Sequence, residues 1–141
     1  CSSANFSIKY SDDIIVDLWH KWVLITTVAG ATTLFNATIG EIASTEHGIA
    51  FITDLHDECI TIAKSEKIKV NDDDLAQQRR FLSDKKSTWS SSMRRDMVNK
   101  SKIECAHIFL ELINIADKNN VECPSLKTVM INGEIYMRSL V

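Results

Sequence analysis

The sequence predicts an all-α protein with one hydrophobic core. Its 141 residues include one proline and four glycines, too few for a fold built from many tight turns. Apolar residues recur at intervals of three and four along most of the chain, which is the spacing of one helix face. Because domains commonly have about 100–150 residues, we expect a single domain of six or seven helices over residues 1–141.

Composition and charge exclude several classes of protein. With 45% hydrophobic and 25% charged residues, the chain is unlike a disordered, collagen-like or coiled-coil sequence. The net charge of −3 and the lack of a basic stripe argue against nucleic acid as a partner. No C-x-x-C pair is present, so we expect the cysteines to be reduced core residues of a cytoplasmic protein. They are Cys1, Cys59, Cys105 and Cys123.

The first helix is predicted to begin near Ile14, after ten residues that we interpret as strand-like or irregular. Ser11, Asp12 and Asp13 supply N-cap oxygens and negative charge for this start. The apolar run over residues 22–34 is shorter than the ~20 residues of a membrane span, so we expect a buried helix and no membrane segment. The predicted buried side consists of Ile14, Leu18, Trp22, Ile25 and Ala29, and the apolar arc is extended by Trp19, Val23 and Thr26.

Two further helical segments are predicted before residue 70. Residues 35–40 predict a turn, and a short helical piece follows over residues 41–44. Residues 44–46, Ser-Thr-Glu, are predicted to cap a second long helix that extends to about Lys67. Its apolar residues at helical spacing are Ile49, Ile52, Leu55, Cys59, Ile62 and Ala63.

The rest of the chain predicts four more helices. Asn71 and three aspartates after it place negative charge at the start of a polar, peripheral helix that reaches about Lys86. A serine run leads into a helix over residues 93–100, and another helix is predicted over residues 103–117. Pro124 marks the start of the last helix.

Lys21 is the first residue that could carry chemistry. On the helical wheel it lies between the apolar residues Ile14, Ile25 and Val28. An ammonium group beside apolar groups must find an anion or lose its proton, and such lysines serve as general acids or anion clamps. The alternative is an ordinary surface ion pair with Asp17, one turn earlier, and the helix alone favours it.

The serine run over residues 90–92 is the second candidate. Hydroxyl groups at a helix N-terminus, beside unpaired amides and the positive end of the helix dipole, form a receptor for a carboxylate or phosphate. Serine is also a common N-cap, and the run by itself favours capping alone.

Glu104 is the third candidate, because it begins a narrow polar stripe on an otherwise apolar helix. The stripe consists of Glu104, His107, Glu111, Asn114 and Lys118, and is predicted to face water or a cleft. Glu104 and His107 have the spacing of a metal-ligand pair, but di-metal bundles need a second such pair, so no metal site is expected.

The other histidines and the glycines form no motif. His20, His47 and His56 have no Ser, Cys or acidic partner at a recognisable spacing, so we interpret them as surface or boundary residues and expect no hydrolase triad. The four glycines are isolated, so the chain alone is not expected to bind a dinucleotide.

Three segments together resemble a known enzyme family. LWHKW at residues 18–22, NATIGEI at 36–42 and SSMRRDMVNKSKIE at 91–104 are similar to the C-terminal helical domain of ketopantoate reductase, also called 2-dehydropantoate 2-reductase. The likeness extends from about Ser11 to Leu126. The resemblance implies a multi-helix bundle with the 6-phosphogluconate dehydrogenase C-terminal-domain-like fold.

The resemblance also implies roles for four residues. The family's W-x-K lysine, its S-S-M-x-x-D run and a glutamate twelve residues after the second serine match Lys21, Ser92, Asp96 and Glu104. By resemblance, Lys21 is the catalytic general acid, which protonates the substrate carbonyl oxygen. Ser92 and Glu104 would bind the substrate, and Asp96 would steady the serine run.

The resemblance implies partners outside this chain. An N-terminal Rossmann domain, absent here, would bind most of the NADPH, with ketopantoate or a related 2-keto acid between the two domains. We therefore expect the chain to be a piece of a longer enzyme and inactive when isolated, with a homodimer as a further candidate assembly.

Two alternatives concern the substrate and the function. The reductases usually carry asparagines four and eight residues after the lysine, where this chain has Ile25 and Ala29, so a more apolar 2-keto acid is an alternative substrate. The alternative function is a non-enzymatic helical association module, in which Trp19 and Trp22 meet another chain.

Overall fold

The computed structural model describes the backbone of residues 2–140 and the side chains of residues 14–105 and 107–140. This part of the chain is mainly helical and contains no strand, so the all-α prediction is confirmed. A π-helical turn, Ala106–Leu110, runs directly into the sixth α-helix. The α-helices are α1 (Ser2–Phe35), α2 (Ile39–Ala43), α3 (Gly48–Ser65), α4 (Asp72–Leu82), α5 (Ser92–Val98), α6 (Glu111–Lys118) and α7 (Pro124–Ser139).

α1 is the central helix and packs against α2, α3, α4, α5, α7 and the π-helical turn. It begins at Ser2, so the predicted strand-like opening and the predicted start near Ile14 were wrong. Residues 2–13 contain neither glycine nor proline, so no strong helix breaker stops the helix before residue 14. Cys1, which was predicted to be a core residue, lies outside the described residues.

The buried face of α1 agrees with the prediction at Val23, Thr26 and Ala29 but differs from it elsewhere. Ile14, Leu18 and Ile25 are 42%, 59% and 39% exposed, whereas the threonines of this helix are buried. The hydroxyl groups of residues 27, 32 and 33 donate at 2.7–2.8 Å to backbone carbonyls one turn earlier. Because the helix itself satisfies these hydroxyl groups, the threonine side can enter the core. The buried threonines are Thr26, Thr27, Thr32 and Thr33.

One described segment of α1, Ile14–Phe35, is long and apolar enough to cross a membrane by length and composition. The expectation of no membrane segment rested on residues 22–34 alone, and the helix is longer than that run. The indication is weak, because the core helix of a globular protein has the same character. In this fold 44% of the most apolar window is buried inside the bundle.

Two clusters of buried side chains form the core. The larger cluster joins α1, α3, α6, α7 and the π-helical turn, and the smaller joins α1, α2, α3 and the end of α4 around Ile39. Burying one large apolar side chain stabilises a fold by about 1.5–3 kcal/mol. Cys59, Cys105 and Cys123 are buried, as predicted. The fully buried centre of the larger cluster includes Leu55, Phe109, Leu112 and Leu126.

The ends of several helices differ from the prediction. Residues 44–46 do not cap α3: the hydroxyl groups of Ser44 and Thr45 donate at 2.7 Å to carbonyls at the end of α2, which need partners there. α3 begins at Gly48, and the side chain of its N-cap residue, His47, makes no capping hydrogen bond. α4 ends at Leu82, before the predicted end, and the helix predicted over residues 103–117 begins only after Glu104.

Two of the three histidines interpreted as surface or boundary residues are buried. His20 and His56 are 6% and 0% exposed, and only His47 lies on the surface. Gln78 of α4 joins the two buried ones: its Oε1 lies 2.8 Å from His56 Nε2, and its Nε2 donates to the His20 carbonyl at 3.0 Å. The N–H of Asn71 donates to His20 Nε2 at 3.1 Å. These partners come from another helix, so local spacing did not reveal them.

Candidate functional site

A cavity of about 340 Å³ opens between α1, α5, the residues before α5 and the π-helical turn. Its volume lies at the lower end of small-molecule sites, which span about 300–1,000 Å³. Its polar lining consists of Ser90, Ser91, Ser92, Asp96 and Glu104. Its apolar lining consists of Ile25, Val28, Ala29, Trp89, Met93 and Ile108.

The serine run is held onto the C-terminal end of α1. Ser91 is the N-cap of α5: its Oγ accepts a hydrogen bond from the N–H of Arg94 at 3.0 Å and lies 2.8 Å from Thr32 Oγ1. The Arg94 guanidinium donates to Asn36 Oδ1 at 3.1 Å and to Ser90 Oγ at 3.3 Å. Capping is therefore the role of Ser91, while Ser92 is exposed and its hydroxyl bonds to no side chain that the structure describes.

Three of the four predicted site residues line this one cavity, namely Ser92, Asp96 and Glu104. Asp96 follows Ser92 by one turn, and its backbone carbonyl accepts a hydrogen bond from the N–H of Ser101 at 2.7 Å. The hydroxyl of Tyr136 on α7 donates at 2.5 Å to the carbonyl of Ser101 and lies 3.3 Å from the carbonyl of Asp96. These bonds fasten the end of α5 to α7. Because α5 has only seven residues, its dipole is small, and an anion here would depend on the Ser92 hydroxyl and nearby charge.

Lys21 is the predicted residue that does not line the cavity. It is exposed on α1, one turn before Ile25, which does line it. Its neighbour Trp22 connects this part of α1 to the cavity, because the indole N–H donates to the carbonyl of Ile108 at 3.3 Å. Among the described side chains Lys21 forms no ion pair, so the alternative pairing with Asp17 is not formed.

Glu104 contacts both the cavity and solvent. Its carboxylate lies 3.5 Å from His107 Nε2, and the two side chains are 76% and 78% exposed. The remainder of the predicted polar stripe lies on the exposed surface. Within the described ranges, no group of three His, Cys, Asp or Glu side chains could hold a metal ion.

Trp89 lines the cavity, although the sequence indicated only that it precedes the serine run. Its carbonyl accepts from the N–H of Ile39 at 2.9 Å, and the carbonyl of Ser87 accepts from the N–H of Gly40 at 3.0 Å. A Cβ on Gly40 would overlap that Ser87 oxygen. The Trp89 ring packs edge-on against Phe81, with centroids 4.3 Å apart. The sequence signal that could have revealed Trp89 is an aromatic residue inside an otherwise polar segment.

The described residues do not provide a phosphate site for a dinucleotide. All four glycines lie within helices and none has a positive φ. A glycine-rich turn whose amides could bind a pyrophosphate is therefore missing from this part of the protein.

Comparison with known proteins identifies the family. The family model described as "Ketopantoate reductase PanE/ApbA C terminal" matches residues 13–131, which is most of the chain. An uncharacterized oxidoreductase, YkpB, of Bacillus subtilis (strain 168) is 30% identical over 135 residues, which cover 96% of this chain and 45% of that protein.

Two solved structures share the fold. A dimeric ketopantoate reductase from Staphylococcus aureus superimposes with a TM-score of 0.80 at 17% identity, over 91% of this chain and 45% of that one. D-mandelate dehydrogenase, in a ternary structure with NADH and anilino(oxo)acetate, gives a TM-score of 0.77 at 19% identity, over 92% of this chain and 43% of that one. The chain thus spans less than half the length of these relatives. With the family match and the bundle architecture together, the chain belongs to the ketopantoate reductase family of oxidoreductases and corresponds to its C-terminal helical domain.

Proposed function

We propose that this chain is the substrate-binding domain of an enzyme that reduces a 2-keto acid, ketopantoate or a related compound, to the 2-hydroxy acid with NADPH. One observation carries the proposal: Ser92, Asp96 and Glu104 line a single cavity beside the helix that bears Lys21. The family match and the oxidoreductase among the relatives support the reaction class.

Lys21 is the catalytic residue in this proposal. Its ammonium group donates a proton to the carbonyl oxygen of the substrate, and its charge stabilises the negative charge that develops there. Lys21 is suited to this role because it is exposed and no described carboxylate neutralises it. From one turn before Ile25, the flexible side chain extends toward the mouth of the cavity when substrate is bound.

The polar residues of the cavity lining have separate roles in this proposal. Ser92 donates its hydroxyl hydrogen to the substrate carboxylate, since no described side chain competes for that hydroxyl. Glu104 orients Lys21, or accepts a hydrogen bond from the hydroxyl group that forms when the carbonyl is reduced. Asp96 is a positioning residue that steadies the serine run, because it lies one turn after Ser92 on the same short helix and lines the same cavity.

A second domain completes the enzyme in this proposal. A nicotinamide nucleotide bound there supplies a hydride to the carbonyl carbon. We place this domain, an N-terminal Rossmann domain, against the exposed apolar stripe of α1, which consists of Ile14, Leu18 and Ile25. Lys21 lies on the same face, so a substrate in the cavity lies between the two domains.

The cytoplasmic location of the protein stays a prediction.

The test is a substitution of Lys21 in the full-length protein. We expect Lys21→Ala to lower kcat for 2-keto acids by about 10²–10⁴-fold, the usual contribution of a positioned general acid. The melting temperature should not change, because the side chain is exposed. Lys64→Ala, at another exposed lysine on α3, is the matched control and should keep full activity. Full turnover by Lys21→Ala would show that Lys21 is not the acid.

A second candidate, an association module, has one observation in its favour. The apolar stripe of α1 is exposed and could meet a second copy of the chain. Trp19 and Trp22 are half-buried, with tilted rings whose centroids are 4.9 Å apart, and pack on the core, so their contact with another chain stays a prediction. Sedimentation of this chain tests the candidate, and a monomer at high concentration would count against it.

A further inference from the structure

We infer that the cavity selects 2-keto acids with a bulky, apolar side chain that carries no hydroxyl group, and that Ile25 and Ala29 set this preference. The inference deepens the proposed function and rests on it, because it assumes that the cavity binds a 2-keto acid.

Two of the three hydroxyl oxygens of the serine run already accept hydrogen bonds from within the protein. Ser90 Oγ and Ser91 Oγ both accept hydrogen bonds from Arg94, at 3.3 Å and 3.0 Å, and Ser91 also contacts Thr32. In the proposed function Ser92 binds the substrate carboxylate, and Glu104 lies at the carbonyl, where reduction creates a hydroxyl group. The other polar lining residues, Ser90, Ser91 and Asp96, belong to α5 and the segment before it, so a substrate side chain that points toward α1 meets only apolar lining.

The apolar lining offers almost nothing to a hydroxyl group. Apart from the indole N–H of Trp89, its side chains contain no hydrogen-bond donor and no strong acceptor. Val28 and Ala29 are 3% and 2% exposed, so water reaches little of their surface. Trp89 is fixed edge-on against Phe81. A hydroxyl group placed against such a surface loses its water partners without replacement, whereas methyl groups gain from the same contact.

A matched pair of substrates isolates this effect. Ketopantoate and 3,3-dimethyl-2-oxobutanoate differ only in the terminal hydroxyl group of ketopantoate. We expect the full-length enzyme, assayed with NADPH or NADH, to show a kcat/KM about 10- to 100-fold higher for 3,3-dimethyl-2-oxobutanoate, because apolar pockets reject an added hydroxyl by up to about 10²-fold. An equal or higher kcat/KM for ketopantoate overturns the inference while it supports the proposed function. No turnover of either acid, or of phenylglyoxylate, contradicts the proposed function itself.

Substitutions in the apolar lining assign the effect to named residues. Ala29→Asn adds an amide to the cavity and should shift the kcat/KM ratio about tenfold or more toward ketopantoate. Ile15→Asn is the matched control, because Ile15 lies on α1 outside the lining and is 50% exposed, and it should leave the ratio unchanged. If Ala29→Asn does not fold, Ile25→Asn makes the same test at a side chain that is 39% exposed. An unchanged ratio in the folded lining variants overturns the assignment to these residues.

Discussion

At the scale of single residues, His56 shows how burial changes the chemistry of a side chain. It is fully buried, its Nε2 contacts Gln78, and its Nδ1 has no hydrogen-bond partner among the described atoms. Burial lowers the pKa of His56 below its ordinary value of 6.5, and the hydrogen bond with Gln78 opposes this only in part. The folded chain therefore favours the neutral ring.

This lowered pKa predicts a loss of stability in mild acid. Between 6.5 and the lower folded pKa, the unfolded chain binds a proton that the folded chain does not. The contribution of neutral His56 is therefore complete above about pH 6.5 and declines as the pH falls toward the folded pKa. Urea denaturation at several pH values should show this decline, with a slope of at most about 1.4 kcal/mol per pH unit for one proton.

Two histidine variants make the pH prediction specific. His56→Gln removes the titrating ring, so it should flatten the pH dependence in this range while lowering stability overall. His47→Gln is the control, because His47 lies on the surface and should leave the slope in place. A slope that survives in His56→Gln would show that other groups cause it.

At the scale of elements, α7 depends on a cap supplied by a different helix. Pro124 begins α7 as predicted, but the side chain of its N-cap residue, Cys123, makes no capping hydrogen bond. Glu58 of α3 caps the helix instead: its two carboxylate oxygens accept hydrogen bonds from the N–H groups of Ser125 and Leu126, each at 3.1 Å. The carboxylate satisfies two amides that lack helical partners and complements the positive end of the helix dipole.

We expect Glu58→Gln to destabilise the chain by about 1 kcal/mol, the usual effect of weakening a helix cap. The amide keeps only one acceptor oxygen and loses the charge. Amide hydrogen exchange should accelerate first at the start of α7. Glu46→Gln, at a carboxylate whose side chain is 88% exposed, is the control and should change neither measurement. Equal losses in the two variants would contradict the capping role.

At the scale of the whole molecule, the cavity and the exposed apolar stripe of α1 share one residue, Ile25. The apolar stripe of α1 is exposed next to Lys21, and the stripe ends in the cavity at Ile25. A contiguous exposed apolar surface of this kind is typical of an interaction face. Together with the missing glycine-rich turn, this arrangement indicates that nucleotide binding needs residues outside the described bundle.

We therefore expect this chain alone to bind NADPH only weakly, with a Kd above about 1 mM by titration calorimetry. The physical reason is that the described residues contain no glycine-rich turn whose amides could bind the pyrophosphate. The full-length protein is the positive control and should bind at least about 100-fold more tightly. A micromolar Kd for this chain would overturn the conclusion that it lacks a nucleotide site.

The sequence by itself determined the all-α class, the approximate helix positions and the family, because these follow from local periodicity, from helix-breaking residues and from short motifs. It did not determine which face of α1 is buried, since threonine hydroxyl groups can be satisfied within their own helix. Only the tertiary structure joined Gln78 to two buried histidines and placed Trp89 and Glu104 in the lining of one cavity. The reason is that such contacts connect residues far apart in the chain, and their geometry depends on how whole helices pack.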